Sequence, residues 1–131
     1  MAQENAEVVR ALIDAFNQGD WEAALEHMDP DFEFDASRAI SDLRGVFKLD
    51  QVRAAMDDFF GLWEAVRVEV DKFVEAGEQV AVSFTNYHRG RDGIELKVRP
   101  SAVWTIRNGR IVHGCLYQEW EDALDAVRRW Q

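Results

Sequence analysis

Asp35 is the residue of this sequence whose type and position most directly suggest chemistry. It ends the segment Phe32 to Asp35, in which two aromatic residues alternate with two carboxylates, as in a short strand with one apolar face. An aspartate at the wall of an apolar cavity has its charged form desolvated, which raises its pKa and makes it a better base. We therefore take Asp35 as the candidate acid-base group.

Two arginines give Asp35 a second interpretation. Arg38 lies three residues further along a polar loop, Ala36 to Val46, and Arg99 lies on a later predicted strand. If either guanidinium pairs with Asp35, the pKa of the carboxyl falls and the carboxylate becomes an orienting group or half of a structural ion pair. The sequence leaves both alternatives open, with Arg38 as the partner that would orient or bind an anion.

The residues before Asp35 predict two helices that would position it. Apolar residues recur at helical spacing up to Phe16, and Gly19 is a typical C-terminal stop. Asp20 is a good N-cap for a short second helix, which we expect to end at Asp29 and Pro30.

A third helix is predicted to begin near Asp50 and to run through Trp63. Met56, Phe59 and Trp63 share one face of it and could form the apolar wall of a pocket. Aromatic and methionine residues at this spacing more often belong to an ordinary core, so both interpretations stand.

The second half of the chain changes its apolar period from 3.6 to 2, which predicts antiparallel strands. Pro100 indicates a bulge or an edge position, and Asn108-Gly109 is a strong hairpin signal. On the predicted inner face Phe84 is followed by Asn86, and Trp104 lies on a later strand. A final amphipathic helix begins near Trp120.

These elements predict one α+β domain over residues 1–131, in which a cone-shaped curved antiparallel sheet is covered by three N-terminal helices and followed by a short C-terminal helix. Their order and motifs resemble the nuclear-transport-factor-2-like superfamily, and within it the SnoaL-like proteins. The motifs that carry the resemblance are FNQGDWEAALEHMDPDFEF, LRGVFKLDQVRAAMDDFF, VWTIRNGRIV and QEWEDAL. The resemblance implies a conical cavity lined by the inner sheet face and by helices one and three, and a homodimer through the outer sheet face.

The chain also resembles steroid delta-isomerases in fold, and Asp35 falls where those enzymes carry their proton-shuttling aspartate. The tyrosine that would donate to the developing enolate corresponds here to Leu12, and the acid that assists it corresponds to Ala102. Without those donors the oxyanion stabilisation of that chemistry is missing. The resemblance therefore argues against steroid isomerisation by that mechanism.

Composition limits the classes of partner. A formal charge of −10 disfavours nucleic acid, no stretch is apolar enough to cross a membrane, and we expect a cytoplasmic protein. Cys115 is the single cysteine and the three histidines have no metal-ligand spacing, so we expect neither a metal site nor another cofactor.

Two functions remain. The first is a cofactor-independent isomerase, cyclase or hydratase that acts by proton transfer on a small hydrophobic molecule, with Asp35 and Arg38 as its catalytic groups. The second is a non-catalytic ligand-binding or dimeric scaffold protein of the same fold. In either case the predicted ligand-contacting residues are Phe16, Met56, Phe59, Trp63, Phe84, Asn86, Arg99 and Trp104.

Overall fold

The structure is a computed structural model that describes residues 2–37 and 45–130, with the side chains of these residues except 2–4, 21, 59, 60 and 130. It confirms an α+β fold with a curved, unclosed sheet, N-terminal helices and a short C-terminal helix. In chain order the elements are α1 (Ala2–Gln18), α2 (Trp21–Glu26), β1 (Met28–Asp35), β2 (Val46–Lys48), α3 (Leu49–Leu62), β3 (Trp63–Ala76), β4 (Gln79–Gly90), β5 (Glu95–Val98), β6 (Ser101–Arg107), β7 (Arg110–Tyr117) and α4 (Trp120–Trp130).

Within the described residues, seven strands form one sheet in the order β2-β1-β7-β6-β4-β3, and β5 extends it by pairing with β4. All pairs are antiparallel except β1 with β7, so the sheet is mixed rather than purely antiparallel. The predicted hairpins had to be antiparallel, because short turns reverse the chain. β1 and β7 are joined through most of the domain, which leaves either direction open.

The helix boundaries before β1 are mostly as predicted. Gly19 follows α1 with φ +68°, and the Asp20 side chain accepts a hydrogen bond from the backbone N–H of Ala23 at 3.2 Å. However, α2 ends at Glu26, and Pro30 lies within β1 rather than at a helix end. The strand tolerates this proline because the β1–β7 register is irregular between Met28 and Glu33.

The predicted end of the third helix is wrong. α3 stops at Leu62, and Trp63 is the first residue of β3, paired with Gly90 of β4. Gly61 weakens the helix there, and the fourteen-residue β3 gains a ladder along the whole of β4.

Helices cover both faces of the sheet. On the concave face, the main core joins α1 and α2 to inward residues of β4 and β6, among them Val80 and Val82. On the convex face, α4 packs Ala123 and Val127 against Ala81 and Val103. α4 therefore lies on the face opposite α1 and α2, where it occupies part of the surface predicted to form a dimer contact.

Candidate functional site

The strand register places Asp35 on the convex side of the sheet. Phe34 pairs with Gly114 and stacks on Trp104 of the concave face, with 5.7 Å between ring centroids. Asp35, one residue later, pairs with Cys115, which in turn pairs with Val103 beneath α4. Because consecutive strand residues point to opposite faces, β1 directs this carboxylate away from the concave face, where the predicted cavity would lie.

The side chain of Asp35 takes part in a local turn. Its Oδ1 accepts a hydrogen bond from the backbone N–H of Ser37 at 2.9 Å. Arg38 lies outside the described residues, so its predicted role stays a prediction. Arg99 is exposed in the two-residue link between β5 and β6, where its predicted ligand contact is untested.

A different part of the sheet gathers polar groups on the concave face. Asn86 of β4 pairs with Val68 of β3 on one side and Val98 of β5 on the other. His88 follows two residues later on the same face. We call this region, Asn86 and His88 with their partners on β3 and β5, the open end of the concave face, since most of these residues are only partly buried. The packed end is formed by Val80 and Val82.

The side-chain oxygen of Asn86 is buried although the residue as a whole is partly exposed. This Oδ1 has no hydrogen-bond partner among the described residues. The side chains of its strand neighbours Val68 and Val98 are apolar, so these side chains cannot supply one. A buried polar atom without a partner costs about 1–3 kcal/mol, and a ligand that donates a hydrogen bond would recover that cost.

His88 is the titratable group of the open end. It is 7% exposed, and the Trp63 ring meets its imidazole edge-on, with 4.7 Å between centroids and 76° between planes. Burial lowers the pKa of His88 below its usual value of 6.5. The imidazole is therefore neutral at pH 7 and able to accept a proton.

Asn17 holds the last turn of α1 against the open end. Its Nδ2 donates to the Val68 carbonyl at 2.9 Å, and its Oδ1 accepts from the Val68 N–H at 2.8 Å. These bonds satisfy backbone groups on the edge strand β3, directly beside Asn86. This role was not predicted from the sequence, because nothing local marks a helical asparagine as the partner of a strand fifty-one residues away.

Four other predicted ligand-contacting residues lie in different surroundings, and their ligand contacts stay predictions. Phe16 and Met56 are partly buried, on α1 and α3. Phe84 is buried in the main core, next to the open end along β4. The side chain of Phe59 is not described, so its contact stays a prediction.

Trp104 belongs to the packed end. It is 8% exposed and lies with Phe34 over Gly114, where an added Cβ would come within 2.5 Å of Trp104 Cζ3 and 2.9 Å of Phe34 Cδ1. Gly114 was not singled out from the sequence. Leu12 and Ala102, which take the place of the isomerase donors, are both core residues.

A depression of about 430 Å³ lies beside the open end. It is lined by Leu62, Trp63, Gly90, Arg91, Asp92 and Ile94. Arg91 Nε donates to the Gly61 carbonyl at 3.3 Å, which ties the β4–β5 turn to the end of α3. Ile94 is 65% exposed at the rim, so the approach to His88 and Trp63 is partly apolar.

Two features are absent from residues 2–37 and 45–130. No three or more His, Cys, Asp or Glu side chains lie together in a way that could hold a metal ion. No helix there combines the length and the apolar character needed to cross a bilayer.

The chain matches a protein-family model, and its fold resembles those of many solved structures. The model of the SnoaL-like domain matches residues 9–114. An NTF2-like protein from Burkholderia pseudomallei is 23% identical with a TM-score of 0.79, over 95% of this chain and 97% of that one. TerC, co-crystallised with polyporic acid, is 20% identical with a TM-score of 0.79, over 96% and 98% of the two chains.

A third similar structure is IdmH from Streptomyces antibioticus, a proposed polyketide cyclase. It is 16% identical with a TM-score of 0.75, over 92% of this chain and 96% of that one. At these identities the likeness establishes the fold alone. No curated protein sequence matches the chain.

Proposed function

The chain belongs to the SnoaL-like domain family, and from that premise we propose that it binds a small, largely apolar molecule at the open end of the concave face. The observation that carries the proposal is the buried Asn86 Oδ1, which has no partner among the described residues. Ligand pockets are typically apolar with a few polar groups that fix orientation, and the surroundings of Asn86 have that character. The co-crystallised TerC indicates that a protein of this fold can bind an organic molecule.

The first test asks whether a molecule binds and whether Asn86 contacts it. Native mass spectrometry of the purified protein would find a retained ligand, and a thermal-shift screen would find added ones. Asn86→Leu, of similar size, should weaken binding by about tenfold, because it removes one hydrogen bond worth about 1.4 kcal/mol.

Ser83→Ala is the matched control, since Ser83 lies on the same strand but on the opposite face. It should bind the ligand as the wild type does. Equal affinity of Asn86→Leu and the wild type for every ligand found would contradict the proposed site.

A second candidate function is catalytic, and His88 supports it. We propose that a bound molecule would undergo proton transfer to the His88 imidazole, as in a cofactor-independent isomerase, cyclase or hydratase. The supporting observation is that burial keeps this histidine in its neutral, proton-accepting form on the same face as Asn86. The alternative is binding without catalysis.

Two substitutions separate these alternatives once a turned-over molecule is known. His88→Gln should abolish turnover and change affinity by no more than a few fold, because it removes the proton acceptor and keeps a polar side chain. Asp35→Asn should leave turnover unchanged, because the register places Asp35 on the convex side. The opposite pattern would restore Asp35 as the base.

The predicted homodimer also stays a proposal. α4 covers Ala81 and Val103, so a dimer through the convex face would have to use α4 or the uncovered part near Tyr87. There Tyr87 donates to Glu69 Oε2 at 3.3 Å, and the Arg67 guanidinium lies 4.4 Å from the centre of its ring. A monomer in gel filtration would contradict the dimer.

A further inference from the structure

Two buried polar atoms outside the proposed ligand site have complementary hydrogen-bonding capacity. Trp104 Nε1 carries a donor, and Glu75 Oε1 is an acceptor. Both atoms are buried, and within the described part of the chain neither has a hydrogen-bond partner. Most buried polar atoms in folded proteins are hydrogen-bonded, so two buried atoms without a hydrogen-bond partner require an explanation.

The sheet register brings these residues into one row. Glu75 of β3 pairs with Val80 of β4, and Val80 pairs with Trp104 of β6. Directly paired residues share a face, so both side chains project from the concave side with only Val80 between them. Two strand spacings separate their Cα atoms by about 10 Å.

The contacts of the indole indicate on which side of β6 its N–H lies. The Cε3 and Cζ3 atoms of Trp104 lie nearest to Gly114, on the β7 side of β6. The opposite edge of the indole carries Nε1 and so faces the β4 side, over Val80. Glu75 lies beyond Val80 in the same direction.

We propose that the row Glu75, Val80 and Trp104 forms a hydroxyl-binding subsite at the packed end. One hydroxyl oxygen accepts from Trp104 Nε1–H, and its proton is donated to Glu75 Oε1. Two hydrogen bonds of about 2.8–3.0 Å each, together with the reach of both side chains, span a separation of this size. The hydroxyl belongs either to a buried water or to a bound alcohol or phenol, and the subsite does not depend on ligand binding near Asn86.

Crystallography of the wild-type protein tests the geometry without any substitution. The expected result is an oxygen within about 3.2 Å of both Trp104 Nε1 and Glu75 Oε1. A structure in which the two atoms bond directly to each other, or each to a different protein group, would overturn the proposal. Refolding from denaturant in ligand-free buffer distinguishes the sources, because a water returns and an organic hydroxyl does not.

A double-mutant cycle tests the same bridge in solution. Trp104→Phe removes the donor and Glu75→Met removes the acceptor at similar length. The hydroxyl needs both partners, so the effect of one substitution should depend on the other. Glu75→Met should change the unfolding equilibrium constant at least threefold less in the Trp104→Phe variant than in the wild type. Additive effects would overturn the bridge.

Glu78→Met provides the matched comparison for the cycle. Glu78 lies on the same β3–β4 hairpin but forms an exposed ion pair with Arg107 at 3.3 Å. The effects of Glu78→Met and Trp104→Phe on the free energy of unfolding should be additive. If Trp104→Phe does not fold, the crystallographic test still decides the proposal.

Discussion

The two ends of β4 differ in packing and in strand pairing on the same concave face. At the packed end, Val80 and Val82 are 0% exposed, between β6 on one side and β3 on the other. At the open end, Asn86 and His88 pair instead with the short β5. The strand keeps one alternation throughout, so the difference comes from what surrounds it: the candidate site lies where β4 extends beyond β6.

The largest expected effect compares matched valines at the two ends. Val82→Ala should destabilise the protein by about 2–3 kcal/mol, because it leaves a cavity in a fully buried layer. Val68→Ala, beside Asn86 and only partly buried, should cost less than about 1 kcal/mol. Urea denaturation measures both, and equal losses would show that the open end is packed as tightly as the core.

Gly114 tests how closely the packed end is filled. Gly114→Ala should cost about 1–3 kcal/mol, because the new Cβ would overlap the rings of Trp104 and Phe34. Gly61→Ala is the control, since no atom of the described residues lies within 4 Å of its added Cβ and alanine favours the helix. The midpoint temperature of thermal unfolding should fall for Gly114→Ala and be unchanged or rise for Gly61→Ala. A Gly114→Ala variant as stable as the wild type would show that the rings can move apart.

The sequence predicted features that depend on neighbouring residues. Gly19 follows α1, and Asn108 and Gly109 have the positive φ values of a tight hairpin, at 54° and 77°. The parallel β1–β7 pair, the convex position of α4 and the start of β3 at Trp63 depend on contacts between distant segments. No local pattern encodes those contacts, which is why they were missed or misplaced.

Asp35 shows how a resemblance can override a local signal that was already present. Alternation along β1 puts Phe34 and Asp35 on opposite faces, and the apolar Phe34 belongs in the core. The position of Asp35 at the end of the strand and the likeness to the isomerases nevertheless both favoured a place at the cavity wall. The structure agrees with the alternation, and the polar groups of the open end, Asn86 and His88, come from β4 instead.

Asn17 tests whether α1 is held at the open end by its two hydrogen bonds to Val68. Asn17→Ala should cost about 1 kcal/mol, because both bonds are lost at a partly solvated edge. Hydrogen exchange at the Val68 amide should become faster. Asn5→Ala is the control, because it removes one longer hydrogen bond, to the Gly77 carbonyl at 3.3 Å. It should change the exchange rate of the Val68 amide and the stability less than Asn17→Ala does.

The smallest expected effect is the pH dependence that His88 adds to stability. Because burial lowers its pKa in the folded state, the unfolded chain takes up this proton first as the pH falls. The contribution of neutral His88 is therefore complete above about pH 6.5 and is lost as the pH falls from there through the folded-state pKa. Thermal unfolding between about pH 7.5 and 5 should show a steeper loss for the wild type than for His88→Gln. Equal slopes for the wild type and His88→Gln would show that the open end hydrates this imidazole fully.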